Sequence, residues 1–552
     1  MKKLFTFVVM AVFAMGTMLA NWQPSDTEAI RLDKEGAQDQ VQMKTLRTDD
    51  GKIILSWLRG EITDNVFSYE LHLQVFDANG NAQFGDEGIT VCNKRTRTYT
   101  TDYALTLAPN GDILLAYTDV RNDPNEEKAE SYIYRYTQQG QPVWPVDGIM
   151  FPAGQIHESV LALEDLAPQI CVSGNNIFAA VSHTEYYMEE ANDDNWSPSP
   201  WFPNQEMPDS VLVSGGGWMI LPMNDDGGFL SEEPLMIESR MLTMNAAPGG
   251  NVYVINENKA LGLDARLLTP ELENAWGEPL TIEERTISNG SFVPTPLTEV
   301  DEDDVLMISY RVLTDFYGYQ VINYLNEDGE FAAEAVSLNG SIDGDAGGAK
   351  MGVKENRALV AWEWAYSGSE NHINVNVVDD ENNYFWTDEN TLGVSLDMND
   401  SWGFTPVKVI PVVDGWVVLY GNCTSWNGAN FMVVKLDEFG EVLWSKQICE
   451  DNFKSSGFSV VNDENNAYIF YTQETQYDEN WNEIPGSAGM YVMCVDISGK
   501  TTAVNEVKAA TGVESTEIYT IDGRRVNEME NGVNIIRTID ADGNVTTKKV
   551  LH

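Results

Sequence analysis

The chain has 552 residues, long enough for more than one ordinary domain, and 43% of them are hydrophobic, with 15 Trp and 22 Tyr. That composition excludes a disordered polymer. Asp and Glu number 86 against 33 Lys and Arg, a formal charge of −53, which argues against nucleic acid and anionic lipid as partners, because both are held by Lys and Arg facing phosphates.

At the N-terminus, Lys2 and Lys3 precede an apolar run from Leu4 to Ala14, and small residues lead to Ala20. This is the charge, apolar core and cleavage layout of a secretory signal peptide over residues 1–20. The run is shorter than the roughly 20 apolar residues a membrane span needs. No Cys follows it and no later segment is long enough to span, so the mature chain is expected to be soluble, without a lipid anchor.

Residues 21–500 repeat. One half of each unit is a polar turn followed by an apolar strand: Asp50-Gly51 before Ile53 to Trp57, Asn110-Gly111 before Ile113 to Tyr117, Asp414-Gly415 before Trp416 to Tyr420, and Asn465-Asn466 before Ala467 to Tyr471. The other half is an alternating strand, a Gly turn and an aromatic. Tyr132, Tyr134 and Tyr136 lead to Gly140 and Trp144, and Phe431 to Leu436 leads to Gly440 and Trp444. Alternation with period two, bounded by Gly and Asn turns, indicates β-hairpins. Eight such units fit between about residues 40 and 500, recurring roughly every 50–65 residues, each with four strand-length segments. The expected architecture is all-β: a β-propeller of about eight, alternatively seven, four-stranded blades. Closure into a ring explains the pattern. One four-stranded sheet cannot bury both faces alone, and a ring of sheets buries each against the next.

No catalytic signature stands out. The five His are scattered, none in a metal-binding helix pattern, and no Gly-x-Ser-x-Gly elbow or phosphate loop occurs. His183 reads as lying at a strand end. The Ser-x-Asp-x-Gly-x-Thr-Trp turns of sialidases are absent. A glycan hydrolase using paired carboxylates in the central pocket remains the alternative to a non-catalytic binding or scaffold propeller. The five Cys are widely spaced and read as free buried thiols, with Cys423 and Cys449 able to pair if oxidised.

Two stretches are binding candidates. Residues 191–208 place Trp196, Trp201 and Phe202 among Pro, Asn and Asp, outside any alternating pattern. Flat rings amid polar neighbours suit a glycan or a surface protein, since they offer large apolar area at low entropic cost. Asp343 and Asp345 flank Gly344 in an oxygen-rich loop. Calcium is the cation such loops suit, although the full twelve-residue loop with a closing Glu is missing; no other cofactor is implied. The acidic turns at Asn224-Asp225-Asp226 and Asp301-Glu302-Asp303-Asp304 look similar.

Residues 501–512 are small and polar, as in a linker, and residues 513–552 form a compact all-β tail with turns at Asp522-Gly523, Asn531-Gly532 and Asp542-Gly543. The stretch carrying Asp522, Gly523, Arg524, Arg525, Val526, Asn531, Gly532, Gly543, Lys548 and Lys549 resembles the C-terminal sorting domain of proteins exported by the type IX secretion machinery of the Bacteroidetes. The tail is short for that family and lacks its upstream Pro-Asn-Pro segment. The repeats with Phe84 before Asp86-Glu87-Gly88-Ile89, and Trp144 before Asp147-Gly148-Ile149, resemble those of secreted Bacteroidetes propellers. The resemblance implies engagement with the type IX machinery and a location outside the cell or on its outer-membrane surface, with the tail as an address label.

Overall fold

The structure, a computed structural model, describes residues 22, 24–25, 29–33, 40–63, 66–96, 102–123, 125, 128–152, 160–191, 207–286, 295–313, 318–332, 334–338, 345–366, 370–381, 383, 394–396, 403–425, 428–448, 458–473, 488–498, 513–520, 525–526, 533–540 and 545–551. The chain divides into two compact units, residues 1–498 and 499–552.

The first unit is an eight-bladed β-propeller. Seven blades are consecutive four-stranded antiparallel sheets, spanning residues 40–92, 103–150, 160–237, 241–283, 297–337, 345–396 and 403–448. Blades 5 and 6 are joined by a single parallel bridge, Gly318 to Asp345. The first strands of successive blades touch one another in turn, and Gln40–Arg47 of blade 1 meets Phe458–Asn462 of blade 8, so the ring closes. These first strands therefore line the axis.

Blade 8 takes only three strands from residues 458–496; its outer strand is Ile30–Arg31, paired with Val492 and Tyr491. The N-terminal segment thus closes the circle. Leu32 N–H donates to Met490 O at 2.8 Å, and Arg31 donates to Ala488 O at 2.7 Å. Trp22, 7% exposed, seals the join. Its ring packs edge-on against Phe76 of blade 1 and against Tyr468 and Phe470 of blade 8. Its indole N–H donates to Asp77 O.

The apolar runs singled out in the sequence are the second strands, and the alternating runs are the third. Both are buried on both faces because each blade lies between two others; Ile113–Asp119 and Glu130–Tyr136 are buried at every position. Separate apolar clusters fill the interfaces of blades 1 with 2, 2 with 3, 3 with 4, 4 with 5, 5 with 6 and 6 with 7, and one larger cluster spans blades 7, 8 and 1. Each fully buried Leu, Ile or Val there contributes about 1.5–3 kcal/mol. Trp362, fully buried, belongs to the cluster between blades 5 and 6.

The Gly-then-aromatic pattern is an inter-blade rivet. A Cβ on Gly140 would lie 3.0 Å from Phe84, one on Gly227 would lie 3.1 Å from Trp144, and one on Gly329 would lie 3.1 Å from Trp276. In each case the aromatic of one blade covers the turn glycine of the next. The Trp144 indole N–H donates to Asp225 O at 3.3 Å, and that of Trp276 to Glu327 O at 2.8 Å.

The second unit is a single four-stranded sheet, with Val513–Thr520 and Val533–Asp540 central and Arg525–Val526 and Val545–Leu551 at the edges. No helix among the described residues is long and apolar enough to cross a membrane.

Candidate functional site

Antiparallel pairing sends alternate connections to opposite ends of the ring. Connections from first to second strand, and the turns that leave third strands, share one end. Connections from second to third strand, and from one blade to the next, share the other.

The first end is closed by turns that satisfy their own amides. Asp77 Oδ1 accepts from Asn79 N and Asn81 N, both at 2.9 Å, and Asp437 Oδ1 accepts from Phe439 N at 2.8 Å and Glu441 N at 2.9 Å. The acidic turns that looked like cation loops belong to this set. Asp301 Oδ1 accepts from Asp303 N at 3.0 Å and Val305 N at 2.8 Å; Asn224 Oδ1 does the same for Asp226 N and Gly228 N. Much of the chain's acidity is thus turn chemistry.

The second end carries the longer connections, among them residues 191–209, whose flanking strand ends Glu190 and Ser210 pair with each other. Trp196, Trp201 and Phe202 fall in this connection and lie outside the described residues. Asp343 also lies outside them, in the connection between blades 5 and 6; Asp345 begins the inner strand Asp345–Lys354, paired with Ala365. Of the tail residues, Arg525 and Val526 form an edge strand and Lys548 and Lys549 lie in another; Asp522, Gly523, Arg524, Asn531, Gly532 and Gly543 lie outside the described residues.

One polar cluster is fully built at this end. Asp119 ends the second strand of blade 2, and its buried carboxylate takes Arg121 Nε at 2.9 Å and Arg121 Nη2 at 2.6 Å. The same guanidinium donates to Tyr134 Oη at 2.6 Å and stacks 3.6 Å above the Tyr132 ring. Burial, with Asp119 nearby, pushes the Cys92 thiol up to about 11, so it stays protonated at neutral pH and is no nucleophile. Charge is matched within the cluster, and its effect is to anchor the connection that follows Asp119.

The two histidines whose side chains are described, His183 and His72, are held within the blades. His183 sits within Asn176–Glu190 rather than at a strand end: the strand continues because its residues pair with Ser210–Met223. It is 1% exposed, with Nε2 3.1 Å from Glu185 Oε1. His72 is buried against Trp57, with Nε2 3.2 Å from Glu70 Oε2. Cys92, Cys171 and Cys494 are buried free thiols; the side chain of Cys423 and all of Cys449 lie outside the described residues.

A cavity of about 280 Å³ opens between blades 3 and 4, lined by Glu238, Asn256, Lys259, Asp264 and Arg266 among others. Burial pulls the Arg266 guanidinium down, against Asp264, and its N–H groups reach the Asn256 side-chain oxygen. The lining mixes both signs of charge, and its one hydroxyl, Ser239 Oγ, accepts from Asn256 Nδ2 at 3.0 Å.

The inner strands carry Lys44, Arg47, Lys350, Lys354, Lys408 and Glu299 among their described side chains, and also Glu164, Asp165 and Asp345, whose side chains lie outside the described ones. Paired carboxylates at hydrolase spacing would need two, about 5–9.5 Å apart.

No protein-family model and no curated protein matches the chain. Solved structures similar to it include a protein of unknown function from Dyadobacter fermentans DSM 18053, with 10% identity, 85% of this chain and 97% of that one covered, and a TM-score of 0.33. An ulvan lyase, a polysaccharide lyase, is 11% identical over 72% of this chain and 78% of its own, with a TM-score of 0.37. Trypanosoma rangeli sialidase is 10% identical over 86% of this chain and 60% of its own, with a TM-score of 0.30. Similarity at this level carries no information about ligand or reaction.

Proposed function

We propose that this chain is a non-catalytic binding propeller, exported by the type IX machinery through its tail and acting outside the cell or on its surface. The observation that carries the binding reading is the asymmetry of the two ends. One is shut by self-capped turns, while the other receives every connection between blades and the aromatic segment 191–208. Recognition commonly sits on loops displayed by a rigid scaffold. The N-terminal layout and the tail's likeness to sorting domains support export.

A glycan array and a cell-wall pull-down with the full chain test this, beside Trp201→Ala and a variant with residues 192–206 replaced by a Gly-Ser linker. Retention of a ligand by the native chain and its loss in both variants is the expected result. Equal retention by all three would overturn the placement of the site, and no retention would overturn the binding role. Export is read by deleting residues 513–552 and following the protein in the medium and on the cell surface of the producing bacterium.

A further inference from the structure

The cavity between blades 3 and 4 opens at the loop end, beside the outer strand Leu235–Ile237 and the hairpin of Val252–Glu257 with Leu263–Leu268. The face that blade 4 turns toward blade 3 starts apolar and ends charged. Val252, Val254 and Leu268 join the cluster the two blades share. Asn256, Arg266 and Asp264 continue that face, since side chains alternate with period two, and Leu263, Ala265 and Leu267 belong to the cluster with blade 5. Counted back from the turn, the positions of Arg266 and Asp264 hold Tyr134 and Tyr132 in blade 2, Leu221 and Met219 in blade 3, and Val434 and Met432 in blade 7. Blade 4 alone of these four places charge there.

Arg266 and Asp264 are opposite in charge and two residues apart on one face, yet neutral groups hold each of them instead of the other. Asp264 Oδ1 accepts from Asn258 Nδ2 at 3.3 Å and from Thr281 Oγ1 at 3.0 Å. The Arg266 guanidinium donates to Asn256 Oδ1. Asn256, 1% exposed, is fixed in turn by donating to Ser239 Oγ at 3.0 Å and to Glu257 O at 2.8 Å. Asp264 Oδ2 and the other guanidinium N–H groups have no hydrogen-bond partner among the described residues, and they are not sealed from the cavity. One acceptor and one set of donors are thus held in place and open, side by side.

This pair disfavours a ligand of net charge. An anion on Arg266 would meet Asp264, and a cation on Asp264 would meet Arg266. At the rim, exposed Glu238 and Lys259 again supply one charge of each sign, while Glu257 pairs with Leu263 on the face toward blade 5. A hydroxyl both donates and accepts, so two neighbouring hydroxyls satisfy both groups. An ammonium would bring three donors to a single open carboxylate oxygen. Leu235, half-buried on the facing wall, offers an apolar surface to the C–H face of a ring. The volume, about 280 Å³, is at the small end of ligand sites and suits one sugar ring.

We propose that this cavity is a subsite for a neutral sugar, in which Asp264 accepts from one hydroxyl of a ring and Arg266 donates to the next. This rests on the binding role above and names the class of its ligand.

Calorimetry with the full chain tests this, using neutral cellohexaose, mannohexaose and galactohexaose beside hexagalacturonate and glycylglycine. At least one neutral sugar is expected to bind, and the acidic sugar and the dipeptide far more weakly. Asp264→Asn and Arg266→Gln should each weaken that binding roughly tenfold or more, as losing a hydrogen bond to a charged group does. Leu235→Trp should block binding by filling the cavity while leaving every polar group in place. Asp50→Asn, at the turn end, should change nothing. Thermal melting of each variant separates loss of the contact from loss of the blade. Unchanged affinity in Asp264→Asn and Arg266→Gln overturns the subsite, as does failure of all three neutral sugars to bind. Binding of glycylglycine alone overturns the sugar class in favour of a zwitterion. If the glycan array finds a ligand that is lost with Trp201→Ala but kept by Arg266→Gln, the binding role stands and this subsite alone falls.

Discussion

The two ends of the propeller are built on opposite principles. At the turn end, each blade is fastened to the next by paired groups: Trp144 lies on Gly227, and Arg135, 2% exposed, bridges Asp112 at 2.9 Å and Asp225 at 2.8 Å. Trp22 ties the last blade to the first at the same end, through Asp77 O. At the loop end the connections are longer, and the Asp119–Arg121–Tyr134 cluster of blade 2 is tied to blade 1 through Cys92 Sγ, which donates to Asp119 Oδ2 at 3.7 Å, and through Val120 N, which donates to Arg95 O at 3.0 Å. Short self-capped turns thus close one end, while the other displays the longer connections on a ring that is fastened at both. Each prediction below loads one end and leaves the other alone.

The largest effect is expected at the closure. Trp22→Ala removes a ring that touches Phe76, Tyr468 and Phe470, and leaves a cavity in the cluster joining blades 7, 8 and 1. Truncating a buried Trp costs about 3–5 kcal/mol. Chemical denaturation should show that loss, and amide exchange should quicken first in Phe458–Asn462 and Gly489–Asp496. Uniform exchange across all blades would mean that the closure is not the weak point. Next comes Gly227→Ala. The residue has φ 86°, and a Cβ would approach Ile149 Cδ1 to 2.4 Å and Trp144 to 3.1 Å. Strain and displacement together should cost about 1–3 kcal/mol. A variant as stable as the native chain would remove the rivet from the account of ring stability.

How much of this was legible in the sequence follows from which strands are buried on both sides. Ile113–Asp119 and Glu130–Tyr136 announce themselves because every position is buried. The inner strand Leu297–Val300 does not, since all four of its residues are half-exposed along the axis. The two-residue strand Ile30–Arg31 is too short to show any period, so the means of closure was hidden although the number of units was readable. The turn aromatics were visible as a pattern, but their partners sit in the next blade. His183 was misplaced because Thr184 to Glu190 is polar, yet it extends a hairpin held by its partner strand rather than by apolar burial.

Acid should weaken both ends, the loop end more. Glu70, in blade 1, is held below the usual carboxylate range by its hydrogen bond to His72, with Arg59 adding to the effect. Asp50, at the turn end, is held down by Lys52 and Thr48 but is exposed. A depressed folded-state pKa contributes stability that is present above the unfolded carboxylate value of about 4 and is lost as pH falls through the folded value. Melting followed from pH 7 to pH 3 should therefore drop, and Glu70→Gln should flatten the drop more than Asp50→Asn. Equal flattening by the two would show that solvent screening at Asp50 is weaker than its exposure implies.

The smallest effect sharpens the comparison most. Blade 4 has Leu272 where the turns of blades 2, 3 and 5 have Gly140, Gly227 and Gly329, and Leu272 keeps the same backbone, with φ 65°. The preceding blade explains the tolerance. Blade 3 has Ser231 at the position where blades 1, 2 and 4 have Phe84, Trp144 and Trp276, so no ring needs the space over that turn. The leucine side chain instead packs against the clusters on either side of blade 3. Holding a leucine in the left-handed region costs roughly 1–2 kcal/mol, and its packing returns a similar amount because it is only half-buried. Leu272→Gly should then shift stability by less than about 1 kcal/mol, since relief of strain offsets the lost packing and the added chain entropy. The paired change Ser231→Trp should be destabilising in the native background and neutral or better beside Leu272→Gly. Thermal melting of the four chains reads the coupling directly, and strict additivity would mean that the glycine is required by the turn alone and not by the ring that covers it.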